Sequence, residues 1–491
     1  MRHILYLTLL LLATTLTANN ITVSNISLTG QLPDNGTTQI EFDLSWENSW
    51  RLSVGPANWD AAWVFAKFRV NGGEWGHCEL FDATAPAGVT AEIRDRDGAM
   101  IYRATDGSGN VDWRDLRLGW EYNANGVGDN DIVDVQVFAI EMVYVPEGAF
   151  WLGSNDDSAE RETNSFYEFA AAPAGQFSAY RVESEAAITI GTVGGNLYYD
   201  VDNDLSRAGD QMGSLGALYP KGFGAYYCMK YEMSQEQYVT FFNTLSQAQK
   251  ENNDATGPDG KNSDEVIAQN GVSWSGNGNA TTSLPNVAMN FITTNTSLAY
   301  LAWAALRPMT ELEYEKACRG PLAPVDGEFA WGNARIFDEP YEYTNQGDFN
   351  SRITNPGTGT GNVLYRATEF NGPLRNGIFA ASAANASREE TGGTYYGIME
   401  MSGNVYERIV TVGNRRGRLF RGNHGGGELN ASGFASIPFW PNNLSGEGIG
   451  YRGGGFIVSA NLLRLADRAD GATVHNIAIN RLSIRGVRSA Q

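Results

Sequence analysis

The sequence predicts an α+β protein made of two successive parts, and three observations support this fold class. From residue 19 to residue 140, apolar and polar residues alternate in short runs, as they do in half-buried β-strands. From residue 141 to residue 491, short strand patterns are mixed with long glycine- and asparagine-rich loops and three segments of helical periodicity. A chain of 491 residues is also longer than a domain with a single hydrophobic core normally is, so at least two domains are expected.

The first 18 residues have the layout of a secretory signal peptide. Arg2 and His3 precede an apolar run from Ile4 to Ala13, and small residues lead to a predicted cleavage site near Ala18. The apolar run is too short to span a bilayer, and no later segment approaches the roughly 20 apolar residues that a membrane helix needs. The sequence therefore predicts a secreted or cell-surface protein that does not span the membrane.

The net charge and the cysteine content indicate which kinds of partner and which cellular compartment suit this protein. The formal net charge of −21 argues against nucleic acid as a partner, because phosphate binding needs a basic surface. The three cysteines, Cys78, Cys228 and Cys318, are too few and of odd number for a disulfide framework. Their scarcity favours a bacterial secretory route and large hydrophobic cores as the source of stability.

The strand patterns of residues 19–140 favour an all-β sandwich of immunoglobulin type. In TTQIEFDLSW the apolar residues Ile40, Phe42 and Leu44 alternate with polar ones, and turn sequences such as VNGGEW separate the runs. We interpret this domain as a spacer or docking module. No Gly/Ser/Pro linker separates it from residue 141, so a rigid connection between the two parts is expected.

Three helices are predicted in the second part. The segment SQEQYVTFFNTLSQ begins with Ser234 as N-cap and has Gln237 three residues later, which is a capping box. TSLAYLAWAAL, Thr296 to Leu306, is the second helix, and TELEYEKACRG, with Thr310 and Glu313 as its box, is the third.

Five segments together resemble the formylglycine-generating enzyme (sulfatase-modifying factor) family. They occur in the family's order, and the last contains the glycines that follow Arg452. The five segments are MVYVPEGAFWLGS, YYCMKYEMSQEQYVTFFN, LAYLAWAALRPMTELEYEKACRG, GIMEMSGNVYERI, and YRGGGF with SIRGVR. The resemblance implies a C-type-lectin-like α+β fold for residues 141–491, with much irregular loop structure.

The resemblance also implies where the family's oxidases hold copper. Two cysteines in the C-terminal segment bind the ion there, and the corresponding positions in this sequence are Val458 and Leu463. Neither side chain provides a thiolate, the ligand that a soft copper ion requires, so we predict no copper and no catalytic residues of the oxidase type. A related branch uses iron held by histidines. Only three histidines follow the signal peptide, at positions 77, 424 and 475, and their spacing does not suggest such a site.

The resemblance does imply calcium as a bound metal. The family holds this ion through the asparagine and the glutamate of the segment that corresponds to SGNVYER. These are Asn404 and Glu407, and oxygen ligands in a loop suit this ion. The alternative is that Glu407 pairs with an arginine. A second calcium site of the family would fall near Asn345. The spacing of Asp200, Asp202 and Asp204 is like the start of a calcium loop, but the run lacks the glycine and glutamate of one, which favours a solvated turn.

Four residues are candidates for ligand contact. Arg464 and Arg468 recur where the family has arginines, together with Arg485 and Arg488; the alternative is that they form ion pairs with acidic residues such as Glu311 or Glu313. Phe439 and Trp440 lie between prolines in a polar loop that could present a stacking surface, and the alternative for them is a place in the core.

These observations favour a secreted, non-catalytic binding or surface-assembly protein whose C-terminal loops hold a glycan or another surface protein. Self-assembly is a further expectation for such a protein. One alternative is an enzyme of the same superfamily with an unrecognised active site. Another is a retroelement-diversified receptor in which FIVSANLL forms the variable patch.

Overall fold

The structure is a computed structural model that describes residues 20–155, 163–170, 178–201, 205–345, 350–367 and 371–490. The predicted signal peptide, Asp202 and Asp204 lie outside the described residues. The described chain is rich in strands and has few helices, as the α+β prediction requires. Within these ranges, no helix combines the length and apolarity needed to cross a membrane.

The N-terminal part is built from strands alone, apart from a short 3₁₀ turn at Pro33–Asn35. Its strands are β1 (Thr22–Leu32), β2 (Thr37–Arg51), β3 (Asp60–Val70), β4 (Gly76–His77), β5 (Leu80–Thr84), β6 (Val89–Arg94), β7 (Gly98–Arg103), β8 (Gly107–Trp120) and β9 (Val133–Val145).

The remaining strands are mostly short. They are β10 (Phe150–Leu152), β11 (Phe166–Glu168), β12 (Tyr180–Val182), β13 (Ile188–Ile190), β14 (Leu197–Tyr199), β15 (Gly213–Leu215), β16 (Tyr226–Met229), β17 (Val272–Ser273), β18 (Thr281–Thr282), β19 (Arg307–Pro308), β20 (Tyr343–Thr344), β21 (Arg352–Ile353), β22 (Tyr406–Val410), β23 (Ile449–Arg452), β24 (Leu482–Ile484) and β25 (Gly486–Ser489). A 3₁₀ turn lies at Ala460–Leu463.

The helices are α1 (Leu205–Ala208), α2 (Gln235–Asn243), α3 (Gln247–Glu251), α4 (Thr294–Trp303), α5 (Glu311–Arg319), α6 (Ile378–Ser382) and α7 (Arg415–Arg418). The three helices predicted from the sequence are α2, α4 and α5. Both predicted capping boxes are confirmed, because Ser234 and Thr310 accept the N3 amide while Gln237 and Glu313 accept the N-cap amide.

Two sheets of the N-terminal part enclose one hydrophobic cluster. The first has the strand order β1-β2-β8-β5, and the second contains β9-β3-β7-β6. Ile40, Phe42 and Leu44 point from β2 into this cluster, where they meet Ala62 and Val64 of β3. The alternation in the sequence therefore corresponds to one buried face of β2. An immunoglobulin-type topology stays a prediction.

The second of these sheets continues beyond the N-terminal part. Strand β9 pairs with β3 from Val133 to Val143 and with β16 from Met142 to Val145, so the order extends to β19-β25-β16-β9-β3-β7-β6. The predicted boundary between residues 140 and 141 therefore falls inside a strand. On the opposite face of β3, Trp63 and Phe65 pack in the core that contains α2 and α4. The two parts thus share a sheet and a core.

A three-stranded sheet positions the C-terminal motifs. Its order is β23-β22-β24, with Tyr406 opposite Leu482 and Glu407 opposite Arg452. Because neighbouring side chains on a strand point to opposite faces, Tyr406 and Glu407 face different environments. Tyr406 joins a cluster with Tyr451 and Leu482, whereas the next apolar residue on Glu407's face, Ile409, packs in a separate buried cluster.

Candidate functional site

The glycines after Arg452 allow the chain to turn tightly beside the SGNVYER segment. Gly453 and Gly454 have φ values of 86° and 70°, which L-residues with side chains rarely adopt. A Cβ atom on Gly454 would lie 2.6 Å from the side chain of Leu463. This turn brings the segment after it back against the three-stranded sheet, since the Phe456 amide donates to the Asn404 carbonyl at 2.8 Å.

A cleft of about 1030 Å³ opens on the face of this sheet that carries Tyr406. The cleft is lined by residues from segments far apart in the sequence, among them Arg207, Met212, Tyr406, Tyr451, Val458, Leu462, Asp470, Val474, His475, Ile477 and Arg481. Its volume is at the upper end of the range typical of small-molecule and cofactor sites. The arrangement is therefore able to enclose a sizeable ligand group.

Part of the rim of the cleft is apolar and open to solvent. Met212 is 62% exposed, Val474 40% and Ile477 51%. The exposed His475 ring stacks on Tyr451, with their centroids 6.4 Å apart. Exposed apolar side chains grouped around a cavity mark interaction surfaces more often than singly scattered ones do.

Charged groups inside the cleft are partly paired with each other. Arg207 donates to Asp470 at 2.6 Å, and the hydroxyl of Tyr406 donates to the other oxygen of Asp470 at 3.3 Å. Arg481 also lines the cleft, and among the described residues its guanidinium makes no hydrogen bond or ion pair. Burial, the largest cause, together with Asp470 raises the pKa of Tyr406, so this phenol stays protonated and donates.

Of the two positions that the resemblance assigns to the oxidases' copper ligands, one lies at this cleft and the other lies in the interior. Val458 forms part of its wall, and Leu463 is fully buried with Phe329, Trp331 and Val363. The neighbouring position Leu462 also faces the cleft. At these positions the chain offers only aliphatic groups, which do not bind a soft metal ion.

Arg468 is held in an ion pair in the interior. It is fully buried, its Nη2 lies 3.0 Å from Glu311 Oε2, and its guanidinium lies 4.1 Å from the ring centroids of both Phe166 and Tyr199. This is the ion-pair alternative considered from the sequence. Arg464 is half-buried beside Gly327.

The other two family arginines are also in ion pairs. Arg485 pairs with Glu407 at 2.7 Å. Arg488 reaches the N-terminal part, where it pairs with Asp95 at 2.7 Å and Asp97 at 3.2 Å and lies over the ring of Trp63.

Phe439 and Trp440 occupy different environments. Trp440 is only 2% exposed, belongs to the large core and donates its indole N–H to the Asn423 carbonyl at 2.8 Å, which matches the core alternative. Phe439 is half-buried with a φ of 67°, and the guanidinium of the exposed Arg421 lies 3.6 Å from its ring centroid. Of the two, only Phe439 is accessible.

Glu407 lies on the face of β22 opposite the cleft, and Asn404 lies two residues before this strand begins. The Asn404 Oδ1 accepts from the Leu374 amide at 2.9 Å, and its Nδ2 donates to Glu232 Oε2 at 2.5 Å. Glu407 Oε1 is bound by Arg485, the arginine pairing considered as the alternative, while Glu407 Oε2 is buried without a hydrogen-bond partner. Burial raises the pKa of Glu407 and of the nearby Glu232.

The remaining oxygens of this region bear on the calcium prediction. Glu400 Oε2 and Asn376 Oδ1 are likewise buried without partners, so oxygens are available beside Asn404 and Glu407. In the part of the chain that the structure describes, however, no group of three or more His, Cys, Asp or Glu side chains is arranged as a metal site. Calcium here stays a prediction.

Apart from His475, the other positions considered from the sequence lie away from the cleft. Asp200 accepts a hydrogen bond from the Tyr167 hydroxyl at 2.9 Å, and Asn345 follows β20. His77 bonds the Asp97 carbonyl and His424 lies 3.6 Å from Asp95, so both are at the β6–β7 turn, whereas His475 lines the cleft.

The sequence did not identify several residues of the cleft. Arg207, Asp470, His475 and Arg481 carry no motif of their own, and they meet only through the fold. A signal did exist for the two tyrosines, because each stands within a segment of the resemblance: Tyr406 in SGNVYER and Tyr451 in YRGGGF.

Comparison with known families places this site in context. The family model of the sulfatase-modifying factor enzyme 1-like domain matches residues 174–490, which is more than half of the chain and includes the whole cleft. No curated protein matches the chain significantly.

Proposed function

The chain belongs to the sulfatase-modifying factor enzyme 1-like family, and on that premise we propose that it is a secreted binding protein without oxidase chemistry. The observation that carries this proposal is the cleft itself. Val458 and Leu462 line it in a region where the family's oxidases place thiolates, and the apolar rim is open to a partner. The partner is a glycan or a surface protein held by the C-terminal loops, and the apolar rim favours a protein.

The test uses one exposed isoleucine of the rim and a matched one elsewhere. Labelled protein is titrated onto intact cells that produce it, with and without prior protease or glycosidase treatment of the cells. Ile477→Glu puts a charge on the rim and is expected to weaken binding at least about tenfold, because burying an unpaired carboxylate is unfavourable. Ile132→Glu, at a site 76% exposed on the N-terminal part, leaves binding unchanged. Equal binding by both variants would contradict the proposal.

The absence of oxidase chemistry is tested directly. After copper loading, metal analysis of the protein is expected to show no stoichiometric copper, because aliphatic side chains occupy positions 458 and 463. Mass spectrometry of a cysteine-bearing sulfatase peptide incubated with the loaded protein is expected to show no formylglycine. Formylglycine above background would favour the superfamily-enzyme alternative.

We also propose calcium as a structural ion of this domain, held near Asn404 and Glu407. An ion bound only to the folded state stabilises it by about 2.7 kcal/mol at a hundredfold excess over the dissociation constant. Chelation is then expected to lower the melting temperature, and Glu407→Gln to abolish this response. The response to chelator is the readout, since Glu407→Gln also weakens the pair with Arg485. Identical melting with and without chelator would exclude the ion.

A further inference from the structure

Three charged side chains meet in the shared sheet where the N-terminal part joins the family domain. Asp60 begins β3, Glu141 lies on β9 between the other two strands, and Lys230 directly follows β16. Lys230 Nζ lies 3.0 Å from Glu141 Oε2 and 3.8 Å from Asp60 Oδ2. Their exposures are 0% for Asp60, 4% for Glu141 and 3% for Lys230, so the cluster is buried.

The surroundings of this cluster are aromatic. The rings of Trp50 and Tyr231 have their centroids 5.1 and 5.4 Å from Lys230 Nζ, and the indole of Trp46 donates to Asp60 Oδ2 at 2.8 Å. A site of this kind has a low effective dielectric constant, which disfavours separated charges.

The cluster has more carboxylates than cations. One ammonium group faces two carboxyl groups, and burial raises the pKa of both Asp60 and Glu141. Burial, the largest single cause, would lower the pKa of Lys230, but Glu141, Tyr231 and Asp60 together outweigh it and the pKa ends above its usual value, so the resting pair is ionic. Glu141 Oε1 is buried and has no hydrogen-bond partner, which leaves it free to take a proton.

We propose that Lys230 and Asp60 condense into an intramolecular amide bond and that Glu141 carries the proton between them. The three groups are held together by the pairing of β3, β9 and β16, so the reaction has the proximity of an intramolecular step. Glu141 contacts the reacting nitrogen and is the catalytic residue of this step.

The condensation balances without any other reactant. Lys230 Nζ passes one proton to Glu141, which delivers it to Oδ2 of Asp60, and the neutral amine then attacks the carbon of the neutral carboxyl group to form the new C–N bond. The bond from that carbon to Oδ2 breaks. Oδ2 leaves as water with the delivered proton and one lost from the attacking nitrogen. The sum is an ammonium and a carboxylate that give an amide and one water molecule.

The hydrogen bonds to Asp60 suit this reaction. Oδ1 accepts from the Ser49 hydroxyl at 2.8 Å and from the Trp50 amide at 3.0 Å, so two donors stand where negative charge develops on the remaining oxygen. Oδ2, the oxygen nearer Lys230, is the leaving one.

The bond would connect the two parts of the chain covalently. All three cysteines are free and buried, so the structure has no disulfide that could do so. An amide between Asp60 and Lys230 closes a long loop and restricts the unfolded chain, much as a disulfide does. For a protein at the cell surface this would resist mechanical or thermal separation of the shared sheet.

The test is the mass of the full-length secreted chain. The denatured wild-type protein is expected to weigh one water molecule less than its processed sequence, and a tryptic digest to contain a branched peptide that joins Asp60 to Lys230. Lys230→Arg keeps the positive charge but is not expected to condense, and Glu141→Gln removes the proton carrier, so both are expected to show the full mass. Lys67→Met is the matched control: it removes another buried lysine, whose Nζ bonds the Gly427 carbonyl, and is expected to keep the lower mass.

The readout does not depend on the variants folding stably, because wild type alone decides the main point. A folded wild-type protein with the full mass and no branched peptide overturns the proposal and leaves a buried ion pair. A missing water without that branched peptide, as from a cyclised asparagine or glutamine elsewhere, overturns it as well.

Discussion

At the scale of single residues, buried arginines pair with the glutamates of α5. Three glutamates of this helix each pair with a different arginine. Glu311 pairs with Arg468 at 3.0 Å, Glu313 with Arg307 at 2.6 Å, and Glu315 with Arg452 at 2.8 Å. A buried ion pair adds little net stability compared with apolar packing, but loss of one partner leaves a charge without compensation. These glutamates therefore fix how the surrounding strands pack on α5.

The first residue-scale prediction concerns Glu315. Glu315→Gln leaves Arg452 buried without its carboxylate and is expected to lower the free energy of unfolding by about 3–5 kcal/mol. The control is Asp134→Asn, which breaks the solvent-exposed pair with Arg69 and is expected to cost less than about 1 kcal/mol. Urea titration of both variants measures the difference. Equal losses would show that the interior pair is not critical.

A second prediction concerns pH and Asp467. Burial, the largest cause, raises the pKa of this carboxyl from 3.8 to about 7, against the opposing effects of the Ala469 amide and Arg452. The folded state therefore keeps the proton longer than the unfolded chain. This contribution to stability is complete below pH 3.8 and is lost as pH rises through about 7.

The variant Asp467→Asn does not titrate at this position. Between about pH 4 and pH 7, wild type is therefore expected to lose up to about 4 kcal/mol of unfolding free energy relative to the variant. Denaturant titrations of both proteins across this range provide the measurement. Parallel pH profiles would mean that Asp467 has the same pKa in the folded and the unfolded state.

At the scale of elements, the helices were predictable because their signals are local. The capping boxes at Ser234 and Thr310 involve residues three positions apart, and the structure contains both. Trp440 shows the limit of local reasoning: its flanking prolines and polar residues indicate a surface loop, but tertiary packing places the ring in the core. The cleft could not be predicted from the sequence for the same reason, since Arg207 and Tyr451 come together only through the fold.

The element-scale prediction concerns the cap of α2. Ser234→Ala removes the acceptor of the Gln237 amide and is expected to cost about 1 kcal/mol of unfolding free energy. Thr281→Ala, at an exposed position of β18, is the control and is expected to change it by less than about 0.5 kcal/mol. Chemical denaturation compares the two. An unchanged Ser234→Ala variant would show that packing alone holds the start of this helix.

At the scale of the whole molecule, the two parts are joined more closely than a domain boundary suggests. Nearly every residue of β3 is buried, because one face packs in the N-terminal cluster and the other against α2 and α4. In the sequence, AAWVFAKFRV is apolar on both faces, a pattern more typical of a strand covered on both sides than of an isolated sandwich. The indole of Trp63 also donates to the Ala304 carbonyl at 2.7 Å.

Limited proteolysis of the purified protein tests this connection. Residues 139–146 lie in or directly after β9, which is paired on both sides, whereas residues 264–267 and 275–279 are exposed loop positions. A protease needs a locally unfolded segment, so a low-specificity protease is expected to cut first between Asn252 and Asn279. A variant with a Gly/Ser insertion after the exposed Glu147 supplies the positive control, because its tether should be cut early. A first cut of the unmodified chain between Ala139 and Pro146 would contradict the rigid connection, while the proposed binding role of the cleft would be unaffected.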